Sequence, residues 1–532
     1  MPKKDRWLSK RSASPIGRAS DQSHRSSDGF DSVSTNPHSP CIIGVAQRTW
    51  HLSGEEQSPE PLLMSAEVLR LAAADANATA DPLAAVQSLD VVYCMSWPYD
   101  EPAARLAAEL GITPQRLAYS GIGGTVPQQL LSSAAAQISA GQLEVAAVVG
   151  AEALDTKRRL KRAGERPNWS HRDPNPLGIP FEAPFHESEI AHEVFQAWLT
   201  FATRDIARRA RLGVQPEQYR RQIGELLAPM TQIAATNPNA WFPQARTAAE
   251  LVDVTSENRL VGYPYTKRTV AFMDVDMSAA VIIASHEAAD RLGVPQDRRV
   301  YLRGSCYATD AVYLAEHPDL SRSEAMTQSF GSALHQAGVS IEQVDHCDLY
   351  SCFASSVHFA ADALGIDPLL ADRSLTVTGG LPYAGGPASN YLSHSIAAMV
   401  DVLRTDPGSF GLVSGVGMHM TKHIAAVYCS EPAGRSAVAA PALAKEPLPA
   451  PAALPIVDSY SGPATIATYS VVHGRDGSAQ WGLVVVDLPQ GASRAYGRVE
   501  DPELLARLEA EEMVGSGVVL TAQGKRNLAQ SE

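Results

Sequence analysis

The sequence lacks the long apolar run that a membrane-spanning helix requires. None of its apolar stretches approaches the roughly 20 residues that cross a bilayer, so we predict no transmembrane segment. Positive charge is also scarce, with 44 Lys and Arg against 58 Asp and Glu and a net charge of −14. An acidic chain is a poor match for nucleic acid or an anionic membrane surface. The composition therefore favours a small-molecule or protein partner.

Cysteine is rare, and its spacing fits no metal site. Six cysteines occur in 532 residues, and no close pair is repeated downstream as in zinc sites. Most lie in apolar, strand-like segments, which is typical of reduced thiols. We therefore predict a cytoplasmic protein without a bound metal. The cysteines are Cys41, Cys94, Cys306, Cys347, Cys352 and Cys429.

The first 40 residues lack the apolar core of a secretory signal. They contain many serines and seven basic residues, which leaves a transit peptide as an alternative. Four aspartates depart from the acid-poor composition of such peptides. We therefore expect residues 1–40 to be a disordered tail.

From Cys41 onward, short apolar strands alternate with helices, as in parallel sheets covered by helices. The order strand, helix, glycine-rich turn, helix, strand occurs twice, in 89–150 and again in 345–417. Such a repeat indicates a duplicated α/β unit. The elements expected within it include strands at Leu89–Trp97 and Asp345–Phe353 and a helix at Ser389–Leu403. Helices at Glu187–Leu212 and Pro216–Asn237 are expected between the two copies.

The repeat divides the chain into an N-terminal half, 41–285, and a C-terminal half, 286–430. Residues 155–268 form long predicted helices, and such insertions commonly shape a substrate pocket. An Ala- and Pro-rich linker occupies 431–455. Residues 456–522 alternate around a glycine-containing turn, which predicts a small β-barrel of the oligonucleotide/oligosaccharide-binding (OB) type.

Two segments end predicted strands and could bind a ligand there. The turn Tyr119–Pro127 leads into a helix, whose N-terminus would suit a nucleophile or an anionic group. Alternatively, Thr125 only caps this helix. In the segment 347–353, Cys352 is a possible nucleophile, but the sequence gives it no adjacent base. A buried, unreactive cysteine is therefore favoured.

A glycine-rich turn, Gly379–Asn390, precedes another helix. Its four glycines allow the backbone to approach a ligand closely, yet it contains no Lys, His, Cys, Asp or Glu. The turn could form one wall of an active site, but it supplies no acid, base or nucleophile. In the later turn 413–423, Ser414 has no evident base, and His419 and His423 form a poor metal pair because they lie in a β context.

The order of these segments resembles the thiolase superfamily. It is most similar to the sterol-carrier-protein thiolase branch and its thiolase-like relatives, often labelled acetyl-CoA acetyltransferases. The segments that carry the resemblance are Ile138–Gly141 with its following strand, Tyr350–Phe353, Gly379–Pro387 and Ser414–Gly417.

The resemblance spans about residues 41–429 and implies a duplicated thiolase fold, layered αβαβα, with a helical loop insertion. The terminal β unit resembles the extra C-terminal domain of some thiolase-like proteins. CoA or acyl-CoA would be the ligand, with no other cofactor. At least a homodimer is expected.

The resemblance also locates the catalytic positions of working thiolases. The nucleophilic Cys falls on Gly124 or Thr125, and the oxyanion-hole Asn or His falls on Tyr350. The activating His falls on Gly386, and the second Cys falls on Ser414. All four positions differ, and covalent acyl transfer loses its nucleophile.

We therefore expect a thiolase-like protein of lipid metabolism that binds CoA or acyl-CoA and lacks efficient thiolase activity. An acyltransferase or hydrolase using Tyr350, Ser414 or Cys352 is one alternative, and a non-enzymatic subunit of a heteromeric acyl-CoA complex is another. The expected substrate-binding residues are Thr125, Tyr350, Cys352, Phe353, Gly385, Gly386 and Ser389.

Overall fold

The structure is a computed structural model that describes residues 35–54, 56–176, 178, 185–370, 373–433, 452–489 and 491–532. The predicted tail up to residue 34 and the predicted linker from 434 to 451 lie outside these residues. In chain order, the strands are β1 (Pro40–Thr49), β2 (Ser88–Val91), β3 (Arg116–Tyr119), β4 (Val145–Ala153), β5 (Leu260–Gly262), β6 (Tyr265–Thr266), β7 (Asp276–Ser285), β8 (Val300–Thr309), β9 (His346–Asp348), β10 (Phe410–Gly417), β11 (Lys422–Cys429), β12 (Gly462–His473), β13 (Ala479–Asp487), β14 (Arg494–Val499), β15 (Gly517–Gln523) and β16 (Arg526–Ser531). The helices are α1 (Pro61–Asp75), α2 (Pro102–Leu110), α3 (Val126–Ser139), α4 (Leu154–Arg162), α5 (Glu187–Ala191), α6 (Ala197–Leu212), α7 (Pro216–Thr236), α8 (Ala248–Val252), α9 (His286–Arg291), α10 (Glu324–Ala337), α11 (Ala354–Leu364), α12 (Leu381–Ala384), α13 (Tyr391–Thr405) and α14 (Pro502–Ala510).

A nine-stranded sheet has the order β3-β2-β4-β7-β1-β8-β11-β10-β9. Its two halves repeat one pattern. The parallel pair β2–β4 corresponds to β9–β10, and two antiparallel pairs follow in each half. The halves meet where β1 pairs with β8, with Cys41 opposite Tyr301. This pattern confirms the predicted duplication.

Helices form three layers, of which one lies between the two half-sheets and the other two cover their outer faces. α3 and α13 contact strands of both halves and therefore lie between them, whereas α1 packs on the first half and α10 on the second. β4 and β7 are buried along their whole lengths. Their continuous apolar sequences suit strands that are covered on both faces. The expected αβαβα layering is confirmed.

Several elements end earlier than the sequence predicts. The residues that follow these ends line a single shared cavity. β2 stops at Val91 and β9 at Asp348, so Leu349–Phe353 leaves the sheet. The helix expected over Glu187–Leu212 is broken between α5 and α6, where Glu193 has φ +61°. A non-glycine residue in the left-handed region cannot continue a helix.

The C-terminal strands close into a five-stranded barrel in the order β12-β13-β14-β16-β15, with β12 pairing β15 to complete it. α14 lies between β14 and β15, and β14 runs parallel to β16. This is the predicted OB-like barrel, completed by β16, for which the sequence pattern gave no prediction. β12 also pairs β5 of the helical insertion. The barrel is therefore joined to the insertion by a common sheet.

Arg209 of α6 strengthens this connection from inside the protein. It is 1% exposed and donates to the Tyr469 hydroxyl at 2.7 Å and to Glu512 at 3.1 Å. Because the guanidinium is almost fully buried, these partners are needed to offset its desolvation. Among the described residues, no helix is both long and apolar enough to cross a membrane.

Candidate functional site

A cavity of about 430 Å³ opens near the N-terminus of α3. Six of the residues predicted for the site line it. Three others, Thr125, Gly385 and Ser414, do not line it. The predicted residues that do are Gly124, Tyr350, Cys352, Phe353, Gly386 and Ser389.

Tyr350 and Gly124 occupy adjoining space at the floor of the cavity. A Cβ on Gly124 would lie 2.8 Å from Cζ of Tyr350 and would also meet the Tyr350 hydroxyl and the carbonyl oxygen of Val416. Real Cβ atoms do not approach other atoms this closely. Gly124, one of the two positions at which the resemblance places a nucleophile, therefore has no room for a side chain.

Thr125 begins α3 but does not face the cavity. It is 1% exposed, and its side chain accepts no capping hydrogen bond. Its hydroxyl oxygen points toward Gly417, 3.5 Å from the place of a Cβ there. The structure therefore assigns Thr125 to the packing between α3 and the end of β10, and the predicted capping bond is absent.

Tyr350 is held from behind by Ser414. The Tyr350 backbone N–H donates to the Ser414 hydroxyl at 3.0 Å, and the Tyr350 ring packs at 90° on Tyr391 with centroids 5.5 Å apart. Burial raises the pKa of the Tyr350 phenol, so the hydroxyl stays protonated at neutral pH. Ser414 thus positions a strand end, and Tyr350 presents a neutral hydrogen-bond donor.

Cys352 lines the cavity without the properties of a nucleophile. Burial raises the pKa of its thiol to about 12, and its sulfur lies 3.1 Å from the Ser356 hydroxyl. A thiol with this pKa is almost entirely protonated at neutral pH, whereas reactive cysteines have lowered pKa values. All six cysteines are buried and unpaired with one another. The favoured prediction of an unreactive Cys352 agrees with this environment.

The glycine-rich turn is anchored by a buried carboxylate. Asp348 accepts hydrogen bonds from Thr376 at 2.6 Å and from the Val377 N–H at 3.0 Å, just before the turn. Within the turn, Gly385 has φ +101° and little space, whereas the Gly386 N–H donates to the Phe272 carbonyl at 2.8 Å. Backbone geometry therefore requires glycine at 385 and leaves room for a small side chain at 386.

Ser389 connects this turn to the start of α3. Its hydroxyl accepts a hydrogen bond from the Gly123 N–H at 3.0 Å. The following Asn390 donates to the Gly150 carbonyl at 2.7 Å. The two glycine-containing turns, 266 residues apart in the chain, are thus fixed against one another.

His419 also lines the cavity, although the sequence analysis considered it only as a metal ligand. Thr200 donates its hydroxyl proton to the Ala197 carbonyl at 3.0 Å, so its oxygen accepts from His419 Nδ1–H at 2.8 Å. Burial lowers the pKa of His419 to about 4. The imidazole is therefore neutral at pH 7, and its unprotonated Nε2 is a weaker base than that of an exposed histidine.

The backbone around His419 is unusual. Met418 and Met420 have φ values of +52° and +63°, a region in which non-glycine residues are strained and which clusters at functional sites. His423 turns away and contacts Asp310 at 3.0 Å. The described residues contain no group of three or more His, Cys, Asp or Glu placed to hold a metal ion.

The helical insertion supplies an apolar wall that no sequence motif predicted. Phe195, Trp198 and Phe201 line the cavity, and Phe201 packs on Phe353 with centroids 4.6 Å apart. Phe195 lies just before α6, and the other two are on α6 at a spacing typical of core residues, so only the fold shows that all three border a cavity. The result is a largely apolar pocket with a few polar groups, as is typical of small-molecule sites.

The paired half-sheets, the helices between them and the cavity at α3 define a protein of the thiolase superfamily. Within it, the chain belongs to the SCP2-thiolase-like protein type 1 family. The crystal structure of a protein from Mycobacterium smegmatis, described as a monomeric SCP2-thiolase like protein type 1, is similar with a TM-score of 0.80 and 30% identity. The match covers 94% of this chain and 100% of that one.

Other comparisons agree with the fold. A family model described as the thiolase-like protein type 1 additional C-terminal domain matches residues 445–525. The dimeric peroxisomal thiolase of Saccharomyces cerevisiae matches with a TM-score of 0.53 and 14% identity, over 75% of this chain and 99% of that one. The Ltp2-ChsH2(DUF35) aldolase matches with a TM-score of 0.56 and 17% identity, over the same shares. A comparison with curated proteins gave no match.

Proposed function

We propose that the protein binds CoA or an acyl-CoA in the cavity at α3 and does not catalyse efficient thiolysis or condensation. The observation that carries the proposal is the contact between Tyr350 and Gly124, which leaves no space for a nucleophilic side chain at 124, while Thr125 is buried outside the cavity. Cys352 is too weakly acidic to replace it. The apolar wall suits an acyl chain, and the positive dipole end of α3 suits a carbonyl oxygen or an anionic group.

Calorimetric titration with CoA and acetyl-CoA tests the binding. Gly386 lines the cavity and has space for a Cβ, so the larger side chain of Gly386→Leu is expected to occupy part of the cavity, and a thermal melt checks that the variant is folded. We expect at least a tenfold loss of affinity in this variant. Gly331→Leu is the matched control, since Gly331 is exposed and lies away from the cavity. Absence of binding in the unmodified protein, or equal binding by Gly386→Leu, would contradict the proposal.

Thiolysis of acetoacetyl-CoA and mass spectrometry after incubation with acyl-CoA test the catalytic part. We expect turnover no faster than background and no acyl adduct on Tyr350, Cys352 or Ser414. A stable adduct on any of them would instead support the altered acyltransferase.

A thioester hydrolase is the second candidate, and His419 favours it. Nε2 would remove a proton from water as its oxygen attacks the thioester carbon, and CoA would leave as a thiolate that takes up that proton. Release of free CoA thiol should be lost in His419→Gln and retained in His335→Gln, an exposed histidine on α10. Equal rates in both variants would exclude this role for His419.

The assembly state is a separate part of the proposal. β3 forms one edge of the large sheet and exposes Leu117 and Tyr119. An exposed edge strand is suited to pairing with a second copy, which supports a homodimer, whereas the M. smegmatis relative is described as monomeric. Light scattering should give twice the mass of one chain, and Leu117→Glu should reduce it to one.

A heteromeric assembly is the third possibility. The name of the Ltp2-ChsH2(DUF35) aldolase describes one protein of this fold together with a second protein. Co-purification of a stoichiometric partner from the native host would favour such a role here. A single species in solution would favour the acyl-CoA-binding protein acting alone.

A further inference from the structure

A groove of about 850 Å³ lies apart from the cavity, between α4 and the two segments at Trp97 and Trp169. Its lining carries four cations and one acidic side chain, although the whole chain has a net charge of −14. A local excess of positive charge in an acidic protein attracts anions. The charged lining residues are Lys157, Lys161, Arg166, Arg172 and Glu165.

Four of the five cations of α4 fall into two groups. Arg158 and Arg159 contact acidic residues, mainly Asp155 on the same helix. Lys157 and Lys161 are four residues apart, hence on one helix face, and both line the groove. Neither forms an ion pair with any residue that the structure describes. Lys157 and Lys161 are therefore directed to the groove, whereas Arg158 and Arg159 are held by carboxylates.

Two indole rings form the apolar part of the groove. Trp97 and Trp169 meet edge to face with centroids 5.5 Å apart, and the Arg172 guanidinium lies 5.8 Å from the Trp97 ring. The Trp97 indole N–H donates to the Ser170 carbonyl at 2.9 Å, which fixes that ring. Trp169 is only partly buried and can present a ring face to a planar ligand.

The groove is built on rigid supports. The segments beside the two tryptophans are paired through the Asp100 N–H, which donates to the His171 carbonyl at 2.8 Å, and the Asp173 N–H, which donates to the Pro98 carbonyl at 2.8 Å. The start of α4 is fixed because the Asp155 N–H donates to Asp276 at 3.0 Å. Such preorganisation reduces the entropy lost on binding.

We propose that this groove binds a nucleoside polyphosphate. Its base would stack on Trp169, and its phosphates would contact Lys157 and Lys161, with Arg166 and Arg172 completing the positive lining. A base can stack on the face of an aromatic side chain, and basic side chains bind phosphate by charge-assisted hydrogen bonds. The groove volume falls within the range of small-molecule sites. The site does not depend on the function proposed for the cavity.

Titration with ADP, pyrophosphate and adenosine, followed by calorimetry and tryptophan fluorescence at low salt, tests the proposal. We expect ADP to bind at least fivefold more tightly than either fragment. The double variant Lys157→Glu/Lys161→Glu should weaken ADP binding at least tenfold, equivalent to about 1.4 kcal/mol. Arg162→Glu, on the same helix but outside the groove, should change it less than twofold.

Trp169→Phe and Trp169→Ala separate stacking from charge. We expect Trp169→Phe to retain most of the ADP affinity and Trp169→Ala to lose at least fivefold, while pyrophosphate binding stays unchanged. A thermal melt checks that each variant is folded, and Trp169→Phe provides the readout if Trp169→Ala does not fold.

Four results would overturn the proposal. They are no ADP binding at millimolar concentration, equal affinity for pyrophosphate and ADP, an equal loss in Arg162→Glu, and loss of ADP binding in Gly386→Leu. The last would place ADP in the cavity at α3 rather than in the groove. Failure of CoA binding together with normal ADP binding would contradict only the function proposed for the cavity.

Discussion

Gly124 is in direct contact with the aromatic ring of Tyr350, so that a Cβ at 124 would lie 2.8 Å from Cζ of the ring. The two residues are 226 positions apart in the sequence, one at the start of α3 and the other just after β9. Because the Val416 carbonyl closes the same space from another side, removing the ring alone does not restore room for a side chain. The absence of a side chain at 124 is thus built into the packing of the site.

This contact predicts that Gly124→Ala destabilises the protein by about 1–3 kcal/mol, the usual cost of overpacking. Tyr350→Ala should relieve only part of that cost, giving a coupling energy of about 0.5–3 kcal/mol in a double-mutant cycle. Urea unfolding measures both. Gly331→Ala, in the interior of α10 with open space around it, is the control and should be neutral or slightly stabilising. Additive effects at 124 and 350 would show that the contact is absent.

The neighbouring glycines of the 379–390 turn should respond differently to alanine. Gly385 has φ +101° and Met277 Sδ would lie 2.8 Å from a Cβ there, so Gly385→Ala should cost about 1–3 kcal/mol. Gly386 has no positive φ and no neighbour closer than 3.4 Å. Gly386→Ala should be neutral or stabilising by about 0.4–1 kcal/mol. Equal thermal stability of the two variants would contradict the difference in backbone geometry.

Ser414 is expected to matter for stability rather than for chemistry. Ser414→Ala leaves the buried Tyr350 N–H without its acceptor, which should cost about 1–3 kcal/mol. Acyl-CoA binding should weaken only if the substitution displaces Tyr350. Neither the unmodified protein nor Ser414→Ala should form an acyl adduct. Ser133→Ala, an exposed position on α3, is the control. An intact stability in Ser414→Ala would exclude the positioning role.

Glu152 should give the protein a distinctive pH dependence. It is 1% exposed, and burial raises the pKa of its carboxyl to about 7, although the Met95 N–H donates to it at 2.7 Å. The folded state therefore binds more protons than the unfolded state between pH 4.5 and 7, and stability falls as pH rises through this window.

Urea unfolding at several pH values tests this effect. Glu152→Gln should remove up to about 1.4 kcal/mol per pH unit of slope between pH 4.5 and 7. Glu144→Gln, at an exposed position just before β4, should leave the slope unchanged. A slope in Glu152→Gln equal to that of the unmodified protein would mean that Glu152 is ionised throughout.

Local patterns were sufficient to predict most elements and their duplication. Continuous apolar runs such as β4, and the turn residues around 474–478, determine strands and hairpins through short-range chemistry. The order of the motifs also indicated the family. The ends of β2 and β9 could not be predicted, since an apolar sequence such as Leu349–Phe353 suits both a strand and the wall of a cavity.

The sequence by itself determined which chemical groups are absent: no cysteine at 124 or 125 and no histidine at 386. Only the tertiary structure decided which groups take their place, because the cavity brings together segments that are distant in the chain. In the fold, Tyr350 lies over Gly124, whereas Thr125 and Ser414 pack outside the cavity. His419 and the aromatic residues at the start of α6 line it. Packing of this kind depends on the shapes of all the neighbours together, which no local pattern of residues specifies.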